Sequence, residues 1–167
     1  MPQPMTPPML LIIWHSRTGA ARAMAEAALR GANAEGAARA IAADMAESAD
    51  LMEAQGYLFV CPENLGTMSG AMKEFFDRSY YPLLGQIEGR PFATAIAAGS
   101  DGSGAERQLE RIVTGWRLRR IADGLIVNLG AQSPEAILAA KTVPEEALQK
   151  CHDLGQSLAA GLTMGAF

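Results

Sequence analysis

The chain has 167 residues, Lys+Arg 14 against Asp+Glu 18 for a formal net charge of −4, and 49% hydrophobic residues. That length suits one domain of roughly 100–200 residues that buries about 70% of its unfolded surface without cross-links, and the apolar content excludes wholesale disorder. Nucleic-acid binding would want a clustered basic face, for which a mild negative charge gives no footing. The two cysteines, Cys61 and Cys151, form no CxxC pair; this excludes a cysteine-built zinc site and predicts a reducing, cytoplasmic setting.

Residues 1–8 are Pro-rich and predict a flexible tail, followed by a single domain over 9–165. Met9-Leu-Leu-Ile-Ile-Trp14 is a continuous apolar run, as expected of a strand buried on both faces, and too short for a signal-peptide core or a membrane span. After a break at His15–Gly19, the Ala-rich stretch Arg22–Arg30 predicts a helix stopped by Gly31. Ala37–Ala42 reads as a weak strand and Ser48–Gln55 as a short helix. Gly56–Cys61 is a second buried strand, ended by Pro62. Met72, Phe75 and Phe76 at i, i+3 and i+4 place a helix over Ser69–Tyr81. Pro91–Ala98 is a further strand, followed by a glycine-dense loop, Gly99–Gly104. Ser103-x-x-Glu106 reads as a capping box for a helix to about Trp116, and Thr142-x-x-Glu145 with Pro144 as another for a helix to about Ala160. Leu118–Ile121 is a strand that Leu125–Leu129 extends or follows.

Strands separated by helices mean βαβ units with right-handed crossovers. The expected fold is therefore α/β: a three-layer α/β/α sandwich with a five-stranded parallel sheet in the order 2-1-3-4-5. Ligands in such sheets bind beyond the carboxyl ends of the strands at a topological switch point. In this order the loops after the first, third and fourth strands converge: His15–Gly19, Pro62–Thr67 and Gly99–Gly104.

The first of these loops has hydroxyls at Ser16 and Thr18, a glycine at 19 and a helix start behind it. That is a phosphate site without a metal, and equally a set of ordinary N-terminal capping residues. Arg17 adds charge or points into solvent. Dinucleotide, P-loop and nucleophile-elbow motifs are absent. His15 and His152, Cys61, Glu63, Asp77 and Asp101 form no acid–base pair in the sequence. A phosphate-binding crevice without its own nucleophile suggests a cofactor that brings the chemistry.

His15-Ser-Arg-Thr-Gly19 after a hydrophobic strand resembles the phosphate loop of flavodoxin-like proteins. Cys61-Pro-Glu-Asn-Leu-Gly-Thr-Met-Ser-Gly-Ala-Met-Lys-Glu-Phe-Phe-Asp-Arg78 resembles the second flavin-contacting segment of the NADPH-dependent FMN reductases and of flavodoxin-like NAD(P)H:quinone oxidoreductases. Ala98-Gly99-Ser100 and the turn after it resemble their third segment; together the match covers most of residues 9–130. The resemblance implies a flavodoxin-like fold and a bound FMN. Its phosphate would sit on Ser16, Arg17, Thr18, Gly19, Ala20 and Ala21. Its ring would lie along Pro62, Glu63, Asn64, Leu65, Gly66 and Thr67, with Gly99, Ser100, Asp101 and Gly102 closing the other side. NAD(P)H would donate hydride, and a quinone, flavin or other small molecule would accept the electrons.

Two departures stand out. The family loop continues Thr-Gly-x-Thr, whereas Ala20-Ala21 supply no hydroxyl; one lost hydrogen bond to a charged phosphate costs about 1.5–3 kcal/mol, or roughly ten- to a hundredfold in affinity. The second and third loops also carry no aromatic to stack on the ring, leaving Tyr80, Tyr81 or Trp116 as candidates against their alternative as packing residues. Three functions stay open: an FMN-dependent NAD(P)H oxidoreductase, a flavodoxin-type electron carrier, and a flavodoxin-like binding module with weak or lost FMN binding. The apolar stretch Phe75–Leu84 leads to the expectation of a homo-oligomer, a dimer.

Overall fold

A computed structural model describes residues 1–167. The elements run β1 (Met9–Trp14), α1 (Ala20–Asn33), β2 (Ala37–Ala42), α2 (Ser48–Glu53), β3 (Gly56–Asn64), β4 (Thr67–Met68), α3 (Gly70–Leu83), β5 (Pro91–Ala98), α4 (Ser103–Gly115), β6 (Arg119–Arg120), β7 (Leu125–Asn128), α5 (Pro134–Leu138) and α6 (Glu145–Met164). The parallel path through the sheet is β2-β1-β3-β5-β6. No helix is long and apolar enough to cross a membrane.

Successive strand residues serve opposite faces, because side chains alternate across a sheet. Leu11, Ile13, Tyr57, Phe59, Phe92 and Ile96 face one core with Phe75 and Phe76 of α3, Leu109 of α4 and Trp116. Leu10, Ile12, Leu58, Val60, Ala93, Ala95 and Ala97 face the other, with the alanines of α1 and with Leu158 and Ala159 of α6. The first core is aromatic: Phe76 sits 5.1 Å from both Phe75 and Trp116 and 5.2 Å from Phe59. The second is built from small residues, and this lets two helices touch backbone to backbone. A Cβ on Gly31 of α1 would lie 2.8 Å from the carbonyl carbon of His152 and closer still to its oxygen. A Cβ on Gly155 of α6 would lie 2.8 Å from Cα of Ala28.

Gly31 is therefore inside α1, not its stop; the helix needs hydrogen there to seat α6 and continues to Asn33. The sheet has seven strands rather than five. The fifth position is shared by β6, beside Pro91 and Phe92, and β7, beside Ala95–Ala98. Between them a polar cluster replaces the ladder. Arg120 donates to Ala122 O (3.1 Å), Thr94 Oγ1 (3.1 Å) and Glu106 Oε1 (2.6 Å), and Thr94, wholly buried, donates to Glu106. The seventh strand, β4, folds back antiparallel on β3, with Glu63 opposite Met68 and Asn64 opposite Thr67.

Strand β3 thus passes through Pro62 rather than ending there. The Pro62 carbonyl accepts Ser69 N–H at 3.3 Å, and the chain turns only after Asn64. Neither expected capping box forms. Ser103 donates its hydroxyl to Asp101 Oδ2 (2.8 Å), and Glu106 turns inward to Thr94 and Arg120. Pro144 precedes α6 with no side-chain cap, and α6 runs on to Met164.

Candidate functional site

The ends of β1, β3 and β5 open onto one crevice, because β1 and β5 flank β3. Its outer part is a cleft of about 780 Å³ lined by Arg17, Asn64, Leu65, Lys73, Ser100 and Ile137 among others. Its inner part, about 210 Å³, lies against Ser16, Thr18, Ala20, Ala21, Pro62 and Lys141. Arg17, Glu63, Asn64, Gly99, Ala131 and Ile137 line both.

At the inner end the chain leaves β1 and enters α1 through Gly19, whose φ of 101° is left-handed and suits a residue without Cβ. Ser16 Oγ accepts Gly19 N–H at 3.1 Å. The N–H groups of Thr18, Ala20 and Ala21 have no partner, as expected of a first helical turn. Ala20 and Ala21 are 5% and 1% exposed. Unpaired amides on buried residues at the positive end of a helix dipole form a site for an anion. The residues present therefore fit a phosphate, although residues 20 and 21 give it no hydroxyl.

The middle wall is the turn between β3 and β4. Leu65 (φ 52°) and Gly66 (φ 76°) are both left-handed, as a two-residue hairpin turn of the primed kind requires. Their N–H groups are unpaired, and the Leu65 side chain is fully exposed at the cleft edge. Helix α4 holds this turn from behind. Glu63 accepts Gly102 N–H (2.8 Å) with one carboxylate oxygen and Ala105 N–H (2.9 Å) with the other. Gln108 Oε1 accepts Met68 N–H at 2.7 Å. Residue 104 must be glycine, since its Cβ would fall 3.0 Å from the Gly66 carbonyl carbon. The carboxylate of Glu63 is consequently a helix cap, not a free acid.

The third loop divides. Gly99 and Ser100 line the cleft, Gly99 pressed so closely on Ala131 that a Cβ would meet its oxygen at 2.8 Å. Asp101 and Gly102 do not line it; they form the start of α4. Asp101 is exposed, and the Ser103 hydroxyl and N–H hold its carboxyl below the ordinary range. Asn128 of β7 donates to Ser100 O and accepts Gly130 N–H, fixing this loop from the other side.

Helix α5 completes the crevice and is absent from the sequence-based reading. It has no buried residue, yet Ile137 lines both parts of the crevice and Leu138 the inner one. Lys141, just beyond it, was missed as well. Ser133, Pro134 and Glu135 carried the signal: an N-cap hydroxyl, realised on Ala136 N–H at 3.2 Å, with proline in the first turn.

Charge distinguishes the crevice from the rest of the chain. Arg17, Lys73 and Lys141 line it, against one carboxylate that α4 already engages. No aromatic side chain lines it. Trp116 is buried against Phe75 and Phe76, and Tyr80 and Tyr81 stand on α3 outside the crevice. His15 has Nδ1 2.7 Å from Ser69 Oγ; burial chiefly, then Arg17, lowers its pKa, partly opposed by Asp44. Burial pushes the Cys61 thiol up to about 12, Glu106 adding to it, and the Cys151 thiol up to about 11, so neither is a nucleophile at neutral pH.

The family model described as "NADPH-dependent FMN reductase" matches residues 25–131. A flavodoxin of Aquifex aeolicus (strain VF5) is 31% identical over 157 residues, 90% of this chain and 84% of that protein. Among solved structures, an archaeal flavodoxin superposes with a TM-score of 0.77 at 18% identity, covering 92% of this chain and 98% of that one. A WrbA-like flavodoxin from Agrobacterium tumefaciens gives the same TM-score and identity, covering 94% and 98%.

Proposed function

Because this chain belongs to the family of NADPH-dependent FMN reductases, we propose that it is an FMN-binding oxidoreductase that takes hydride from NAD(P)H and reduces a quinone, a flavin or another small acceptor. The observation that carries this reading is the continuous crevice. It has an amide-lined anion site at the start of α1, unpaired N–H groups at Leu65 and Gly66, and no side chain poised as nucleophile or acid–base pair.

When bound, FMN supplies the hydride-accepting ring and passes the electrons onward. The chain positions and tunes it. Ser16–Ala21 would hold the phosphate through the free N–H groups of Thr18, Ala20 and Ala21 and the Thr18 hydroxyl. The turn at Leu65–Gly66 would offer its free N–H groups to the flavin, and α4 holds that turn through Glu63 and Gln108. Leu65 and Ile137, which line the cleft, would offer the ring aliphatic rather than aromatic surface. The proposal includes self-association. Phe75, Phe76 and Leu83 of the apolar α3 stretch are consumed by the core, but Tyr81 is 77% and Leu84 51% exposed.

The electron-carrier reading is favoured by one finding, the flavodoxin relative. One experiment separates the readings. The purified protein is titrated with FMN by fluorescence quenching, then assayed for NADH and NADPH oxidation with a quinone. Turnover supports the oxidoreductase. Binding without turnover supports the carrier, and no binding up to high micromolar FMN overturns both.

A further inference from the structure

The geometry points to Lys141 as a direct ligand of the anion held at the start of α1, standing in for the hydroxyl that residue 21 lacks. The inference rests on the FMN reading and adds a residue far from the phosphate loop in sequence. Lys141 N–H donates to Thr18 O at 2.8 Å, which joins the segment after α5 to the loop itself. Lys141 lines the inner cleft together with Ser16, Thr18, Ala20 and Ala21.

The ammonium group is held in a particular way. It donates to Ile137 O at 2.8 Å and to Ala139 O at 2.6 Å, at the end of α5. An ammonium has three donors, so one is left for a ligand. No carboxylate pairs with Lys141, so its charge is uncompensated. Arg17, the other cation nearby, is exposed and makes no hydrogen bond or ion pair that fixes its side chain. A cation anchored by two carbonyls loses less freedom on meeting an anion than one on a free stem.

The test compares FMN with riboflavin, which has the same ring and no phosphate. Both are titrated by fluorescence quenching into wild-type protein, Lys141→Met and Lys141→Arg, with melting temperatures recorded. The expected result is FMN affinity weakened tenfold or more, by roughly the loss of one charge-assisted hydrogen bond, in Lys141→Met. Riboflavin affinity stays unchanged, and Lys141→Arg recovers most of the FMN binding. Unchanged FMN affinity in Lys141→Met overturns the inference alone. So does an equal loss for FMN and riboflavin, which would mean that Lys141 only positions α5. Wild-type protein that binds neither flavin overturns this inference and the cofactor reading together.

Discussion

Two glycines at helical positions offer a test in which local and tertiary forces predict opposite signs. Alanine has a higher helix propensity than glycine by about 1 kcal/mol, so propensity alone stabilises Gly→Ala anywhere inside a helix. Gly115, the last residue of α4, has nothing within 4 Å of where a Cβ would stand. Gly115→Ala should therefore gain roughly 0.5–1 kcal/mol. At Gly31 the Cβ would sit 2.8 Å from one backbone atom of His152, closer still to another, and 3.1 Å from the backbone nitrogen of Gln156. None of these is the flexible end of a side chain. Helix α6 would have to back away, prising Leu158 and Ala159 off the second core. Overpacking typically costs about 1–3 kcal/mol, and an overlap with rigid backbone this close belongs at the upper end, about 3 kcal/mol, which outweighs the propensity gain of about 1. The net loss of about 2 kcal/mol corresponds to a melting temperature lower by roughly 4–8 °C for a chain of this size. Thermal unfolding by circular dichroism on the two variants reads both signs. A Gly31→Ala protein as stable as wild type, or more so, would show that α1 and α6 do not touch in the way described.

Three further outcomes follow from the site. Glu63→Gln keeps shape but sets an NH2 donor against one of the two N–H groups of the α4 start, so one charge-assisted bond is lost and the other weakened; unfolding in urea should show a loss of about 2 kcal/mol, and an unchanged midpoint would refute the cap. Thr18→Val removes a hydroxyl that makes no hydrogen bond within the chain, so the melting temperature should hold while FMN affinity drops about tenfold; equal affinity places the phosphate elsewhere. His15 has a folded pKa below its ordinary 6.5, so the unfolded chain takes up the proton first. Stability is then fully present above pH of about 6.5 and declines as pH falls through the folded value. His15→Asn should flatten that decline in melting temperatures taken between pH 7 and 5, and an identical slope in both proteins would contradict the burial of His15.

The strands were the legible part of this sequence. β1 and β5 keep the bounds read from their apolar runs, because burial on both faces leaves an uninterrupted signal; β2, an edge strand with no buried residue, keeps its bounds on a weaker one. What stayed hidden depended on partners distant in the chain. Gly31 looks like a stop until α6 is seen lying on it. Ser103 and Glu106 have the spacing of a capping box, but Arg120 and Thr94 bind the glutamate more strongly than a helix end does. The convergence of the three loops was readable from the strand order, whereas the split of the third loop was not. Asp101 and Gly102 turn away because Glu63, on another strand, captures the amides there. Ile137 and Lys141 reach the crevice only through tertiary placement.

The capture of those amides by Glu63 has a directional consequence. Two long helices, α1 and α4, begin at the same rim of the sheet, and each would welcome a negative group. One of these two berths is taken by the chain's own acid, so a guest with a single anionic end is turned away from α4 and toward α1. A side chain of the chain itself thereby biases the heading of the ligand, at a distance from the α1 amides.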